Sequence, residues 1–143
     1  MTTPLPHRIL AVDFGDARTG LAATDWTGSI VVPLPRIDAR DEAAVIRAIV
    51  AVVRERDTEL VVLGMPVSMD GSQGPRAQRT AAFRDHLEQA LPCPVCTVDE
   101  SHSTDEAHNR LKAGGIKAKR RKDLADSTAA LIILERYRGS KPR

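Results

Sequence analysis

Two short runs of this chain, Ile9-Leu-Ala-Val12 and Leu60-Val-Val-Leu63, are apolar at every position. A strand with one wet face alternates apolar and polar residues, so unbroken runs of this length read as strands covered on both faces. A doubly covered sheet needs helices on each side, which makes the chain an α/β protein. With 42% hydrophobic but only 3% aromatic residues, its core is built mainly from Ala, Val, Ile and Leu.

The other periodicities order the elements. Residues 8–14, 18–24 and 29–34 read as three strands, joined by tight turns at Gly15-Asp16 and Asp25-Trp-Thr-Gly28 and therefore antiparallel. Pro33 and Pro35 push the third toward a sheet edge. Over 41–56 the period becomes helical: Val45, Ile49 and Val52 form one stripe, with Ile46, Val50 and Val53 beside it. Asp41 and Glu42 fall in its first turn, where the helix dipole favours negative charge. A strand over 59–63 leads into a loop from Gly64 to Gly74. Pro75 then suits the first position of a helix running to about Ala90. Residues 95–98 read as a fifth strand and 104–111 as a short helix ended by Gly114-Gly115. A last helix spans about 124–138. The 143 residues suit one domain. Its sheet is mixed and five-stranded, an antiparallel meander followed by βαβα and flanked by helices. A basic flexible segment at about 112–122 and a tail at about 139–143 lie outside this core.

Charge is divided unevenly. Residues 1–70 carry net −3 and residues 71–143 net +5, and all the lysines (Lys112, Lys117, Lys119, Lys122, Lys141) lie in the last third. A basic half beside an acidic cluster fits a polyanion. With few aromatic rings for stacking, such binding is mostly electrostatic, salt-dependent and weakly sequence-selective. No apolar stretch approaches a membrane span, and the N-terminus lacks the pattern of a signal peptide. Cys93 and Cys96 form a CxxC without the second pair a structural zinc requires. They read as reduced thiols in a cytoplasmic protein.

Three acidic positions stand in core-like sequence: Asp13 in the first apolar run, Asp99-Glu100 at the end of the fifth strand, and Asp126 opening the Ala-rich helix. A lone carboxylate there carries a desolvation cost unless a cation accompanies it. Together they suggest one divalent-metal site for Mg²⁺ or Mn²⁺. Two such ions about 3.5–4 Å apart activate water and stabilise the leaving oxygen in phosphodiester cleavage. Strand alternation lets only one of Asp99 and Glu100 point inward. Ala129 and Ala130, one turn past Asp126, permit close approach to the first strand. Candidate phosphate contacts are Arg18, the loop residues Gly71, Ser72 and Gly74 before a helix start, and Arg76 and Arg79 one turn apart. Lys117, Lys119, Arg120 and Arg121 join them, within a basic run that also holds Arg110, Lys112 and Lys122. His102 and His108 are further acid/base candidates, with an ordinary surface role as the alternative.

These residues resemble a known family. Ala11-Val-Asp-Phe-Gly-Asp-Ala-Arg-Thr-Gly20 is similar to the opening Asp-x-Gly-x-x-x-x-Gly segment of the YqgF-type, Holliday-junction-resolvase-like nucleases. Leu63 to Pro75 is similar to their Gly-Leu-Pro…Asp-Gly…Gly loop, Asp99-Glu100 to their Asp-Glu-Arg element, and Asp126-Ser-Thr-Ala-Ala130 to their Asp-x-x-Ala-Ala element. The four matches come in order and cover nearly the whole chain. Ser101 and His102 stand where the family has Arg and Leu, which removes a cation from the site. The resemblance implies an RNase H-like fold and a metal-dependent nuclease acting on the precursor of 16S ribosomal RNA, with branched DNA as the other proposed substrate. It also favours Glu100 over Asp99 as the ligand beside Asp13 and Asp126. RNA is the favoured partner, and the protein acts as a monomer or homodimer. A non-catalytic nucleic-acid-binding module is the competing expectation.

Overall fold

A computed structural model describes residues 7–66, 74–100 and 103–140. The elements follow as β1 (Ile9–Asp13), β2 (Arg18–Thr24), β3 (Val31–Asp38), α1 (Glu42–Arg56), β4 (Leu60–Met65), α2 (Pro75–Ala90), β5 (Val95–Asp99), α3 (Ser103–Ala113) and α4 (Ala118–Ser140). They build one five-stranded sheet in the order β3-β2-β1-β4-β5. β1, β2 and β3 pair antiparallel, while β4 and β5 add parallel on the other side of β1. The expected meander and crossovers are thus present, and β3, with its two prolines, is an edge strand.

Alternation along the strands sorts side chains into two cores. Leu10, Val12, Leu21, Val61 and Leu63 face α1 and α2, where they meet Val45, Ile49, Val53, Phe83 and Leu87. Ile9, Ala11, Leu60 and Val62 face α4 and meet Ile133, Leu134 and Tyr137. Helices therefore cover β1 and β4 on both sides, which is why those strands contain no polar alternation. Ala107 of α3 packs on Ala129 and Ile132 of α4. Among the described residues, no helix is long and apolar enough to cross a membrane.

Two elements, β3 and α4, depart most from expectation, while β4 runs on through Gly64 to Met65 and α3 spans Ser103–Ala113. β3 runs Val31–Asp38 and contains a bulge. α4 begins at Ala118, so 118–122 are helical and the link from α3 shrinks to residues 114–117. Gly115, at φ 80, absorbs the reversal. Lys and Arg are good helix formers, so the basic run extends the helix back toward that glycine. Asp126 consequently lies two turns inside α4 and does not open it. Aspartate is a poor interior helix residue, so its position there is not explained by capping.

Candidate active site

The strand pattern aims the first two acids. Asp13 continues the Ile9-Ala11 face of β1, and Glu100, directly after β5, continues the Cys96-Val98 face. Both point toward α4, whereas Asp99 points outward and is exposed. β4 lies between β1 and β5, so the two backbones stand about 9–10 Å apart. Glu100 spans that gap across Gly64. A Cβ at position 64 would lie 2.8 Å from Glu100 Oε2 and 3.1 Å from Glu100 Cβ, and would press on Ile133 Cδ1. The glycine thus leaves a lane for the long carboxylate. Glu100 N donates to the Met65 carbonyl at 3.2 Å, which fixes where that side chain starts.

Asp13 and Glu100 are 8% and 6% exposed, too buried for either charge to be relieved by water. Burial raises the Asp13 carboxyl well above its ordinary range; its hydrogen bond to Glu100 and the Glu100 charge push the same way. Arg76 opposes the shift and Asp126 adds to it. A hydrogen bond thus joins the two buried carboxyls and favours the protonated form of Asp13. Arg76 Nη2 stands 3.5 Å from Glu100 Oε1. Glu100 Oε2 has no hydrogen-bond partner among the described residues.

Asp126 approaches from α4. A Cβ on Gly20, which pairs with Asp13 across the β1–β2 ladder, would collide with the Asp126 backbone carbonyl. At Gly20 the α4 backbone thus lies directly on β2, while further along Ile133 and Leu134 pack on Ile9 and Ala11 of β1, as the small residues Ala129 and Ala130 led one to expect. Arg18 Nε and Arg36 Nη1 each lie 3.7 Å from Asp126 Oδ2, an oxygen that is buried and accepts no hydrogen bond. Ser127 Oγ donates to the Leu34 carbonyl at 2.6 Å, tying the next residue to β3.

Of the sequence-selected acids, Asp13 and Glu100 meet, Asp126 is near enough to press on the Asp13 charge, and Asp99 is turned away. No group of three or more His, Cys, Asp or Glu side chains among the described residues is arranged to hold a metal. The site is an acid pair with a third carboxylate beside it, drawn toward two guanidinium groups. Two buried carboxylate oxygens without hydrogen bonds, beside a buried Asp13 carboxyl that neighbouring acids push toward its protonated form, still fit a hard divalent cation, which takes oxygen donors.

Arg76 and Arg79 sit at the start of α2, whose N-cap Gly74 has no side chain with which to cap the first N–H groups. Phe14 and Phe83 stack at 3.9 Å, fastening α2 to the exit of β1, and Arg79 Nη1 holds Asp16 at 2.6 Å. Lys117 and Arg120 are exposed at the α3–α4 link. Arg110 is occupied by Glu106 and Glu135, both at 2.9 Å. Gly71, Ser72, Ser101 and His102 lie outside the described residues, as do the side chains of Lys119 and Arg121. Sequence reasoning missed the spacer roles of Gly20 and Gly64, although both belong to the motifs it matched. Arg36 carried no signal at all.

Residues 7–138 match the family model described as RuvX, Holliday junction resolvase. The chain belongs to this family. A Synechococcus elongatus protein named "Putative pre-16S rRNA nuclease" is 41% identical over 131 residues, covering 92% of this chain and 88% of the relative. A Streptomyces avermitilis protein of the same name is 40% identical over 129 residues, covering 90% and 83%. In fold, this RuvX-family chain is similar to T. thermophilus RuvC in complex with Holliday junction substrate (TM-score 0.56, 14% identity, 92% of this chain and 94% of that one). It is also similar to the Fowlpox virus resolvase in complex with Holliday junction DNA (TM-score 0.56, 12% identity, 93% and 97%). At such identities the likeness concerns the fold, which is RNase H-like.

Proposed function

We propose that this RuvX-family chain is a divalent-metal-dependent nuclease that hydrolyses phosphodiester bonds of structured nucleic acid, with the precursor of 16S ribosomal RNA in the cytoplasm as its substrate. The observation that carries the reading is the buried Asp13–Glu100 pair with Asp126 beside it. Such an arrangement is costly without a cation, and it has no structural task that an apolar pair would not perform better. The names of the 40–41% identical relatives support the RNA substrate.

Asp13, Glu100 and Asp126 would hold Mg²⁺ or Mn²⁺, with Asp99 too far turned to join them in this arrangement. When bound, the ions supply a water of lowered pKa and charge stabilisation for the leaving oxygen. The protein's own groups do the rest. Gly64 and Gly20 set the spacing of the acids. The dry floor of Ala11 and Val62 keeps the local dielectric low, so each charge acts strongly on its neighbours. Arg76, Arg18 and the free N–H groups at the start of α2 are placed to receive phosphate oxygens. Gly74 and Arg79 at the start of α2 and the exposed Lys117 and Arg120 would add further phosphate contacts along a backbone, with Ser72, Lys119 and Arg121 as candidates on sequence grounds.

The family description and the RuvC-like fold favour a second reading, resolution of branched DNA. Both substrates belong in one assay: structured 16S precursor RNA and a four-way DNA junction, each with Mg²⁺, with Mn²⁺ and with EDTA. The expected outcome is cleavage of the RNA that needs the metal and is abolished in Asp13→Asn and Asp126→Asn at unchanged fold. Cleavage confined to the junction would transfer the assignment to DNA. Binding of either substrate with no cleavage under any metal would leave a non-catalytic module.

A further inference from the structure

Arg36 owes its place to an irregularity of β3. Leu34 pairs with Leu21 and Ile37 with Thr19, so β3 carries one residue more than β2 over this interval. Leu34 and Ile37 consequently pack on the same core, the one formed with α1 and α2. A bulge re-aims the side chains within it. Arg36 emerges toward α4, with Nη1 3.7 Å from Asp126 Oδ2 and Nε 2.9 Å from Asp38 Oδ1. Without the extra residue it would share the Leu34 face. The Leu34 carbonyl in the same bulge accepts from Ser127, so the segment bearing Arg36 and the turn bearing Asp126 are bound together.

We propose that Arg36, together with Arg18, is a positioning residue that holds the Asp126 carboxylate while the site carries no cation. It releases that carboxylate when a divalent cation binds and turns its guanidinium to a phosphate of the nucleic acid. The inference rests on the nuclease reading above. Without a cation, Asp126 faces the Asp13–Glu100 pair and needs positive charge of its own. The guanidinium groups supply it from 3.7 Å, close enough to attract but with no hydrogen bond to Oδ2 that must be broken. Once a cation takes the carboxylate, both arginines lose Asp126 at a point where phosphate arrives; Arg36 stays anchored through Nε to Asp38, and the Nη side of its planar fork matches phosphate oxygens. Cation binding and nucleic-acid binding are then coupled through one residue.

The test is a double-mutant cycle on the full chain, reading Mn²⁺ affinity by titration calorimetry without nucleic acid. Arg36→Ala is expected to tighten Mn²⁺ by about 5-fold or more in the parent, through loss of the competitor for Asp126, and to change nothing in Asp126→Asn. Arg36→Lys, which keeps the charge, should fall between. With Ca²⁺ as the cation, Arg36→Ala should weaken binding of hairpin RNA, read by fluorescence anisotropy. Equal tightening in both backgrounds would mean simple removal of a positive charge and would overturn the proposal, as would no tightening at all. Should the parent bind no Mn²⁺, the metal reading itself fails and this inference falls with it. Should the parent bind Mn²⁺ and the cycle show no coupling, only this inference fails.

Discussion

Asp13 is held in a form that water would not impose on it. A carboxyl whose pKa is raised by folding binds more protons folded than unfolded between its ordinary value of 3.8 and the raised one. Its contribution to stability is greatest below that window and is lost as pH rises through it. Asp25 and Glu59 are shifted the other way by backbone hydrogen bonds, so total stability is a poor readout. The difference between Asp13→Asn and the parent isolates the effect. In EDTA, the variant's melting temperature should exceed the parent's by a margin that grows from about pH 4 toward neutrality. Saturating Mn²⁺ should reverse the order, because it stabilises the chain that binds it. A margin independent of pH would show that Asp13 is not the strained proton acceptor described here. Gly64→Ala probes the same pair sterically. Its Cβ meets side-chain ends, Ile133 Cδ1 and Glu100 Oε2, which can move. Urea unfolding should register a loss of about 1–3 kcal/mol, and Mn²⁺ affinity should fall with it.

At the scale of elements, the site depends on how α4 rides over the meander. The Asp126 backbone carbonyl sits where a Cβ on Gly20 would be, and a backbone carbonyl on a helix cannot turn aside as a side chain can. Gly20→Ala should therefore cost more than Gly64→Ala, about 3 kcal/mol or above, measured by the same urea titration. A milder loss at Gly20 than at Gly64 would mean that α4 slides freely on the sheet. Strand alternation was legible in the sequence and showed that only one of Asp99 and Glu100 can point inward; it was the family motif that favoured Glu100, and the β5 pattern is what aims it. The helix starting at Pro75 and the edge position of β3 were equally legible, because proline chemistry is local. Asp126 was misread as a helix opener because the basic run before it was taken for a flexible link, whereas its Lys and Arg are good helix formers and carry α4 back to Ala118. The β3 bulge left no local mark beyond its prolines, so the arrival of Arg36 at Asp126 required the ladder register. Gly20 and Gly64 were visible as motif glycines, but what each makes room for lies on another element.

Over the whole molecule, the acids lie deep between sheet and α4 while exposed positive charge gathers at the α3–α4 link. On the proposed reading this separation divides the work: the rim would capture a polyanion without bringing Lys side chains into the acid pair. Capture by the rim should follow counterion release, with log K falling linearly in log salt. The rim residues are not equivalent, however. Lys117 and Arg120 are exposed, whereas Arg110, nearby in sequence, is committed to Glu106 and Glu135. Replacing Lys117 and Arg120 by Gln should make the salt slope shallower by about 0.7–0.9 per lost phosphate contact, and should weaken RNA of any sequence alike. Arg110→Gln removes the same charge from the same region but a guanidinium already engaged by two acids, so its slope should match the parent's. Anisotropy titrations of one hairpin RNA across a salt series compare the three proteins directly. A shallower slope in Arg110→Gln as well would mean that net charge alone governs capture, and that the placement of individual cations along the rim is irrelevant to it.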